Sequence, residues 1–314
     1  MMKAIAMAGA ALLAAATTPT GVEVTIPGPQ GALAGTLVDP DKDAPAILII
    51  PGSGPTDRDG NNPLGVKGGV YRQLAEALAA RGVATLRIDK RGLFGSKAAI
   101  PDANDVTIAA YAADAHAWVD MLRAKTGRKC VWLLGHSEGS LVALKAAQDP
   151  KGICGVILVS GAGRPYGEVI RAQLRANPAN APLLAAGEAA LDQLEAGKRV
   201  DGATLPTPLQ PLFRDNVQGF LIEAFSYDPA KLVSAIKLPV LILQGDKDLQ
   251  VPVTDAELLK RGQPAATLKI LPGVNHVLKP VDGDDRAANA VTYGNADLAI
   301  SPAVSEAIAA FVRK

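Results

Sequence analysis

The sequence predicts an α/β protein: a mostly parallel eight-stranded sheet with helices on both faces and a helical lid inserted after the sixth strand. Three observations carry this reading. Short continuous apolar runs recur at 46–50, 131–134, 155–160 and 240–244, without the polar alternation of a half-exposed strand, as parallel strands covered on both faces require. Stretches of crossover length with helical periodicity separate them. Finally, the strand rhythm stops at about residue 164 and resumes only after about 237.

Taken in order, residues 22–26 alternate apolar and polar side chains, and 32–38 do so less cleanly. Gly28-Pro29-Gln30-Gly31 lies between them, so the pair reads as an antiparallel hairpin opening the sheet. The apolar strand at 46–50 ends in residues 51–61, a loop rich in glycine, proline, aspartate and asparagine, which accept unusual backbone angles. An amphipathic helix at 71–80 is stopped by Gly82, and a strand at 85–89 runs into Lys90-Arg91-Gly92. Residues 106–125 have helical periodicity up to Gly127, before the strands at 131–134 and 155–160. The insertion at 164–237 carries helical stretches at 166–176, 183–196 and 216–225 and a proline-bearing segment at 205–211. A strand at 240–244, a helix at 254–260, a strand at 267–271 and a helix at 302–312 complete the pattern.

A chain of 314 residues with net charge +1 suffices for one large α/β domain and lacks the basic excess that nucleic acid or an anionic membrane surface selects. A small molecule is the expected partner. Residues 1–16 read differently from the rest. Lys3 gives a positive start, 4–16 is an apolar run too short to span a bilayer, and Ala14-Ala15-Ala16 fits a cleavage site. The expectation is a secretory signal followed by a single domain over 17–314, exported to the periplasm or beyond, with no cysteine placed for a lipid anchor. Export gives Cys130 and Cys154, the only two cysteines, the opportunity to pair; two buried free thiols are the alternative. Two thiols and three scattered histidines argue against a metal site.

Chemistry concentrates at Gly135-His136-Ser137-Glu138-Gly139, between an apolar strand and a helical pattern. A serine at the tip of such a turn needs small residues two positions either side, because strand and helix approach too closely for side chains there. Gly135 and Gly139 meet that need, which makes Ser137 the candidate nucleophile, with a helix N-terminus aimed at it. A serine hydroxyl needs a base oriented by a third group. His116 sits mid-helix and reads as structural, and His136 neighbours Ser137 with its side chain turned away. His276, in the loop Pro272-Gly273-Val274-Asn275-His276 after the last strand, is the candidate base. The loop after Gln244 supplies the acid: Asp248 first, with Asp246 as the second candidate. Two N–H groups must face the developing oxyanion, and Ser53 and Glu138 are assigned to them.

Ser137, Asp248 and His276 in that chain order resemble the triad of the α/β-hydrolases. With the loop Gly52-Ser53-Gly54-Pro55-Thr56-Asp57-Arg58-Asp59-Gly60-Asn61 and the turn Asp89-Lys90-Arg91-Gly92, the chain is similar to bacterial carboxylesterases from about residue 22 onward. The resemblance implies hydrolysis of short acyl esters without a cofactor. Glu138 stands where many such enzymes carry a smaller or apolar residue. Asp57, Arg58, Asp59 and Arg91 are expected to form a carboxylate–guanidinium pair between neighbouring loops, steadying the oxyanion loop.

Fold and triad do not fix the leaving group, so an aminopeptidase, a thioesterase or an acyltransferase shares this reading. A peptidase acting on free N-termini would need a lid carboxylate, for which Glu168, Glu188, Asp192, Glu195 and Glu223 are available. A non-catalytic binding protein is disfavoured because no triad position is lost. The rings Phe213, Phe220, Phe225 and Tyr227 of the insertion, with Phe94 on a strand-end loop, are expected to close a pocket favouring acetyl to butyryl groups.

Overall fold

The computed structural model describes residues 21–313; the segment at 1–16 read as a secretory signal lies outside the described residues. Eight strands form one sheet: β1 (Val22–Pro27), β2 (Ala32–Val38), β3 (Ala46–Ile50), β4 (Ala84–Ile88), β5 (Val131–His136), β6 (Ile153–Val159), β7 (Val240–Gly245) and β8 (Thr267–Leu271). Their spatial order is β1-β2-β4-β3-β5-β6-β7-β8. The β1–β2 and β2–β4 pairings are antiparallel and the remaining pairings are parallel.

The all-apolar strands follow from two-sided burial. Leu48 and Ile50 of β3 enter the core on one face, while Ile47 and Ile49 enter the core on the other. The first face is covered by α2 (Ile108–Thr126), α3 (Glu138–Ala146) and α8 (Val253–Gly262). The second is covered by α1 (Val70–Ala79) and α10 (Pro302–Val312). Helices on both faces of this sheet make the α/β-hydrolase fold.

The chain between β6 and β7 holds α4 (Tyr166–Ala176), α5 (Leu184–Glu195), α6 (Asp215–Phe225) and α7 (Pro229–Ala235). The first three build a core of their own around Ile170, Leu191, Leu194, Leu209, Phe213 and Phe225. The fourth, absent from the sequence reading, starts with Pro229 behind an Asp228 cap and sends Val233 into the main core beside α3 and α8. The lid proper is therefore α4 to α6, and α7 belongs to the body. A further short helix, α9 (Arg286–Val291), follows the His276 loop and also carries no periodicity legible in sequence.

At the amino ends of β5 and β6, Cys130 and Cys154 are joined as a disulfide with their α-carbons 5.1 Å apart. The other ends of these strands carry the candidate site. No helix among the described residues is long and apolar enough to cross a membrane.

Candidate active site

Strand β5 ends by turning sharply into α3 at Ser137, whose φ of 55° and ψ of −122° lie in a region that an L-residue enters only when its surroundings enforce it. The two glycines explain how this turn fits. A β-carbon on Gly135 would collide with the carbonyl of Gly139, and one on Gly139 would collide with the carbonyl of Ile50. Ser137 itself is half-buried and borders two cavities.

His276 borders one of them, a space of about 150 Å³ that Ser137 and Ser53 also line. Its Nδ1 lies 2.8 Å from Asp248 Oδ2. A carboxylate only accepts, so Nδ1 carries the proton and Nε2 is left as the lone pair of the ring. The carboxyl of Asp248 is buried, which by itself pushes its pKa up. The charge and hydrogen bond of His276 and the N–H groups of Val251 and Gln250 outweigh burial and hold it below the ordinary aspartate range. Gln244 Nε2 donates to the same oxygen that His276 uses. Asp246 instead ties its loop to the start of the histidine loop, accepting from the N–H of Gly273 at 2.7 Å.

The loop that presents His276 folds back on itself. Asn275 N–H donates to Lys279 O, Leu278 N–H donates to Asn275 O, and Leu278 adopts a φ of 61° to close the turn. Lys279, fully buried with no carboxylate partner among the described residues, donates from Nζ to the carbonyls of Gly68 and Leu298. It thereby ties the histidine loop to the segment that follows the oxyanion loop. Asn275 is held in turn by Asn289 and Thr292.

His136 has a role that its position next to Ser137 does not disclose. Its Nε2 lies 2.8 Å from the carbonyl oxygen of His276 and its Nδ1 lies 2.9 Å from Tyr71 Oη. A carbonyl cannot donate, so Nε2 carries the proton and Nδ1 accepts from the Tyr71 hydroxyl. Tyr71 Oη accepts from Gly52 N–H at 2.9 Å. One directional chain therefore runs from the oxyanion loop through Tyr71 and His136 to the backbone of His276. Burial, then the neighbouring His276, push the His136 pKa down to about 3, so the neutral ring the chain needs is the form present at neutral pH. His116, by contrast, bonds the carbonyl of Ala146 and joins α2 to the end of α3.

With Gly52 N–H engaged by Tyr71, Ser53 N–H is the next donor along the loop. It has no acceptor among the described residues. Glu138 N–H belongs to the first turn of α3, where no intrahelical acceptor exists. The loop is braced from below. Arg58 binds Asp89 through its backbone N–H at 2.8 Å and through Nε at 2.9 Å, and Arg87 binds Asp59. Arg91 is not part of this brace. It lies beyond the end of β4, turned toward α2, and donates to Asp114 at 2.7 Å. The partner of the loop is Asp89, buried at the end of β4 and in reach of both Arg58 and Gly95 N–H.

The side chain of Glu138 is buried and paired with an equally buried Lys90, 3.2 Å away. Lys90 Nζ also donates to Gly52 O at 2.7 Å, and Tyr166 of α4 donates its hydroxyl to the second oxygen of Glu138. Glu138 thus stands between two spaces: one of about 60 Å³ that contains Ser137, and one of about 340 Å³ beyond.

The aromatic residues expected to close this pocket are mostly elsewhere. Phe213 is fully buried and Phe225 nearly so, both inside the lid's own core, because three helices need a centre before they can cover anything. Tyr227 donates to Glu223 and lies beside Lys145, and Phe94 is 46% exposed over a separate depression near Arg58 and Arg87. Only Phe220 of the five lines the larger space; Tyr111 and Tyr166 line these cavities instead. Both stand in the first turn of a helix that follows a strand-end loop, which is the signal that would have located them. Among the described residues, no cluster of three histidine, cysteine, aspartate or glutamate side chains is placed to hold a metal ion.

Comparison with known proteins agrees with this architecture. Residues 64–202 match the family described as serine aminopeptidase, S33. The chain is 26% identical over 282 residues to Esterase EstD of Thermotoga maritima, an alignment covering 88% of this chain. It spans 64% of the length of that relative. Among solved structures, Est1E from Butyrivibrio proteoclasticus superposes with a TM-score of 0.57 at 19% identity, covering 94% of this chain and 100% of that one. The Pyrococcus furiosus esterase Pf2001 gives 0.55 at 17% identity, with 94% and 92% covered. The α/β hydrolase GrgF from Penicillium sp. sh18 gives 0.58 at 20% identity, with 82% and 91% covered. At these identities the structural likenesses establish the fold.

Proposed function

We propose that this chain is a serine hydrolase of carboxylic esters, working through an acyl-enzyme on Ser137. The observation that carries the reading is the strained elbow at Ser137, bordering one cavity with a His276 whose far nitrogen is bonded to the buried Asp248. His276 Nε2 takes the proton from Ser137 as its oxygen attacks the ester carbonyl. Imidazolium then forms beside the Asp248 carboxylate, and the oxyanion meets the N–H groups of Ser53 and Glu138. The histidine returns the proton to the departing alcohol. Water, activated by the same ring, then releases the acid.

The name Esterase EstD supports ester hydrolysis, and the small space beside Ser137 supports short acyl groups as substrates. A peptidase reading finds less support. Glu223 is engaged with α2 and Tyr227, Glu188 with Arg175, and Asp192 and Glu195 with Arg171; Glu168 lines none of the cavities beside Ser137. The paired cysteines and the apolar run at 4–16 support work in an oxidising, exported location. The test is labelling by a fluorophosphonate probe, followed by aryl acetate and butyrate hydrolysis beside an aminoacyl anilide. Labelling at Ser137 with ester turnover is the expected result. Anilide turnover alone would favour the peptidase, and no labelling would remove the serine hydrolase reading.

A further inference from the structure

The space of about 340 Å³ beyond Glu138 combines apolar walls with polar groups that a plain alkyl chain leaves unmatched. Its walls include Val106, Val217 and Phe220, but four of its lining residues are Lys90, Tyr111, Glu138 and Arg214. Both oxygens of Glu138 are engaged, one by Lys90 and one by Tyr166. Lys90 uses two of its three N–H groups, on Gly52 O and Glu138, and stands 5.4 Å over the ring of Tyr111. The Tyr111 hydroxyl has no hydrogen-bond partner among the described residues, although the residue is only 7% exposed. Burial, with Glu138 and Asp114 nearby, pushes its pKa up and keeps it a donor. Arg214 stands exposed at the rim and likewise has no acceptor among the described residues, while the nearby Asp102 is held by Asn104 and Asn216. The N–H and O–H groups left unused here belong to Lys90, Tyr111 and Arg214, while Glu138 already accepts from Lys90 and Tyr166.

The side of the substrate that reaches this space follows from the proposed reaction. His276 must protonate the departing alcohol, so the alcohol lies in the cavity that His276 lines, and the acyl group lies on the opposite side, over Glu138. Glu138 borders both the small space at Ser137 and the larger one, so the two adjoin at its side chain, the point where an acyl arm too long for the first would pass toward the second.

We propose that this larger space is a distal acyl subsite for arms ending in a hydrogen-bond acceptor, a carboxylate above all, received by Tyr111, Lys90 and Arg214. An alkyl end would strip water from these donors and return nothing, a loss that buried unsatisfied groups make large enough to set specificity. Short unsubstituted acyl groups stop before the subsite and are indifferent to it. The inference rests on the esterase reading and names its substrate class: esters of short acids, and half-esters or oxo-esters of longer ones.

The test compares aryl esters of matched shape: hydrogen adipate, 6-oxoheptanoate, 6-methylheptanoate and 6-aminohexanoate, with acetate as the measure of the esterase itself. The adipate and oxo esters are expected to exceed the 6-methylheptanoate tenfold or more in kcat/KM. Arg214→Gln should shrink the adipate advantage severalfold, and Tyr111→Phe should shrink the adipate and oxo advantages together. Equal or faster hydrolysis of the 6-methylheptanoate overturns the subsite, as does a preference for the aminohexanoate, which would mean that Glu138 is read instead. Failure on acetate together with all the others removes the esterase reading. Binding to Ser137→Ala protein then decides the subsite separately: methyl hydrogen adipate should bind at least tenfold more tightly than methyl 6-methylheptanoate, and equal binding overturns it.

Discussion

Each candidate catalytic residue is defined by what its neighbours leave free. Ser137→Ala removes the nucleophile while its methyl group keeps the same turn, so turnover should fall by roughly 10⁴-fold or more with the fold intact. Near-normal aryl acetate hydrolysis by this variant, with an unchanged circular dichroism spectrum, would discard Ser137. His136 makes a different prediction, through stability. Its pKa in the fold, about 3, lies below the ordinary value of about 6.5 for the unfolded chain. Between these values the unfolded chain binds a proton that the folded chain refuses. Stability contributed by this group is therefore complete above about pH 6.5 and declines as pH falls, by roughly 1.4 kcal/mol per unit. Urea midpoints of wild type and His136→Gln, measured from pH 7 to 5, should converge as pH falls; parallel curves would mean that His136 takes up its proton without unfolding. Sequence spacing points to Ser137, Asp248 and His276 because each sits in a short motif at a strand end. It is silent on Tyr71, Lys279 and Asp89, whose partners Gly52, Gly68 and Arg58 become neighbours only once distant strands are side by side.

Secondary structure divides the chain's tasks between the two ends of the sheet. The disulfide joins the amino ends of β5 and β6, while Ser137 lies at the carboxyl end of β5, so the bridge should matter for stability and not for turnover. Cross-linking residues 24 apart constrains the unfolded chain by roughly 3 kcal/mol. Cys130→Ser with Cys154→Ser should lower Tm by several degrees with kcat preserved. A large loss of kcat in a protein that still melts cooperatively would mean that the bridge reaches the elbow. In the lid, Phe213→Ala should cost about 3–5 kcal/mol locally, as expected for a fully buried ring. Phe220→Ala should alter acyl preference with a smaller loss. Unchanged selectivity in Phe220→Ala would separate that ring from the pocket. The buried strands are legible in sequence because an unbroken apolar run admits few other homes. The ring positions are not, since the helical periodicity of 216–225 says that Phe225 is buried but not whether lid or body buries it, and Phe213 lies outside any helix. α9 escaped notice for a related reason: its six residues complete less than two turns, too few for a periodic pattern.

At the scale of the molecule, two cores flank the sheet and a third lies wholly inside α4 to α6. A unit with its own core and a limited contact with the rest can open as a unit, with a free energy below that of global unfolding. Polar ties hold it to the body: Tyr166 of α4 donates to Glu138, and α6 makes a second tie. Glu223 of α6 accepts from the N–H groups of Ile108 and Ala109, in the first turn of α2, and from the hydroxyl of Tyr227. Asn216 adds a bond to Asp102. Glu223→Ala leaves the two α2 donors without their acceptor, a loss of about 1–3 kcal/mol that falls on the closed lid alone if they are rehydrated on opening. Native-state hydrogen exchange should then show amides of 166–225 exchanging ahead of those in β5 in the wild type, and about tenfold to a hundredfold faster in Glu223→Ala. Amides of β5 exchange from more fully unfolded states that also lack this tie, so they should accelerate by no more than the same factor and stay slower than the lid. Glu223→Gln, which keeps an acceptor, should fall between wild type and Glu223→Ala. Equal opening free energies for the lid and β5 in the wild type would mean that lid and body unfold together, and that the insertion is part of the core instead of a cover over the site.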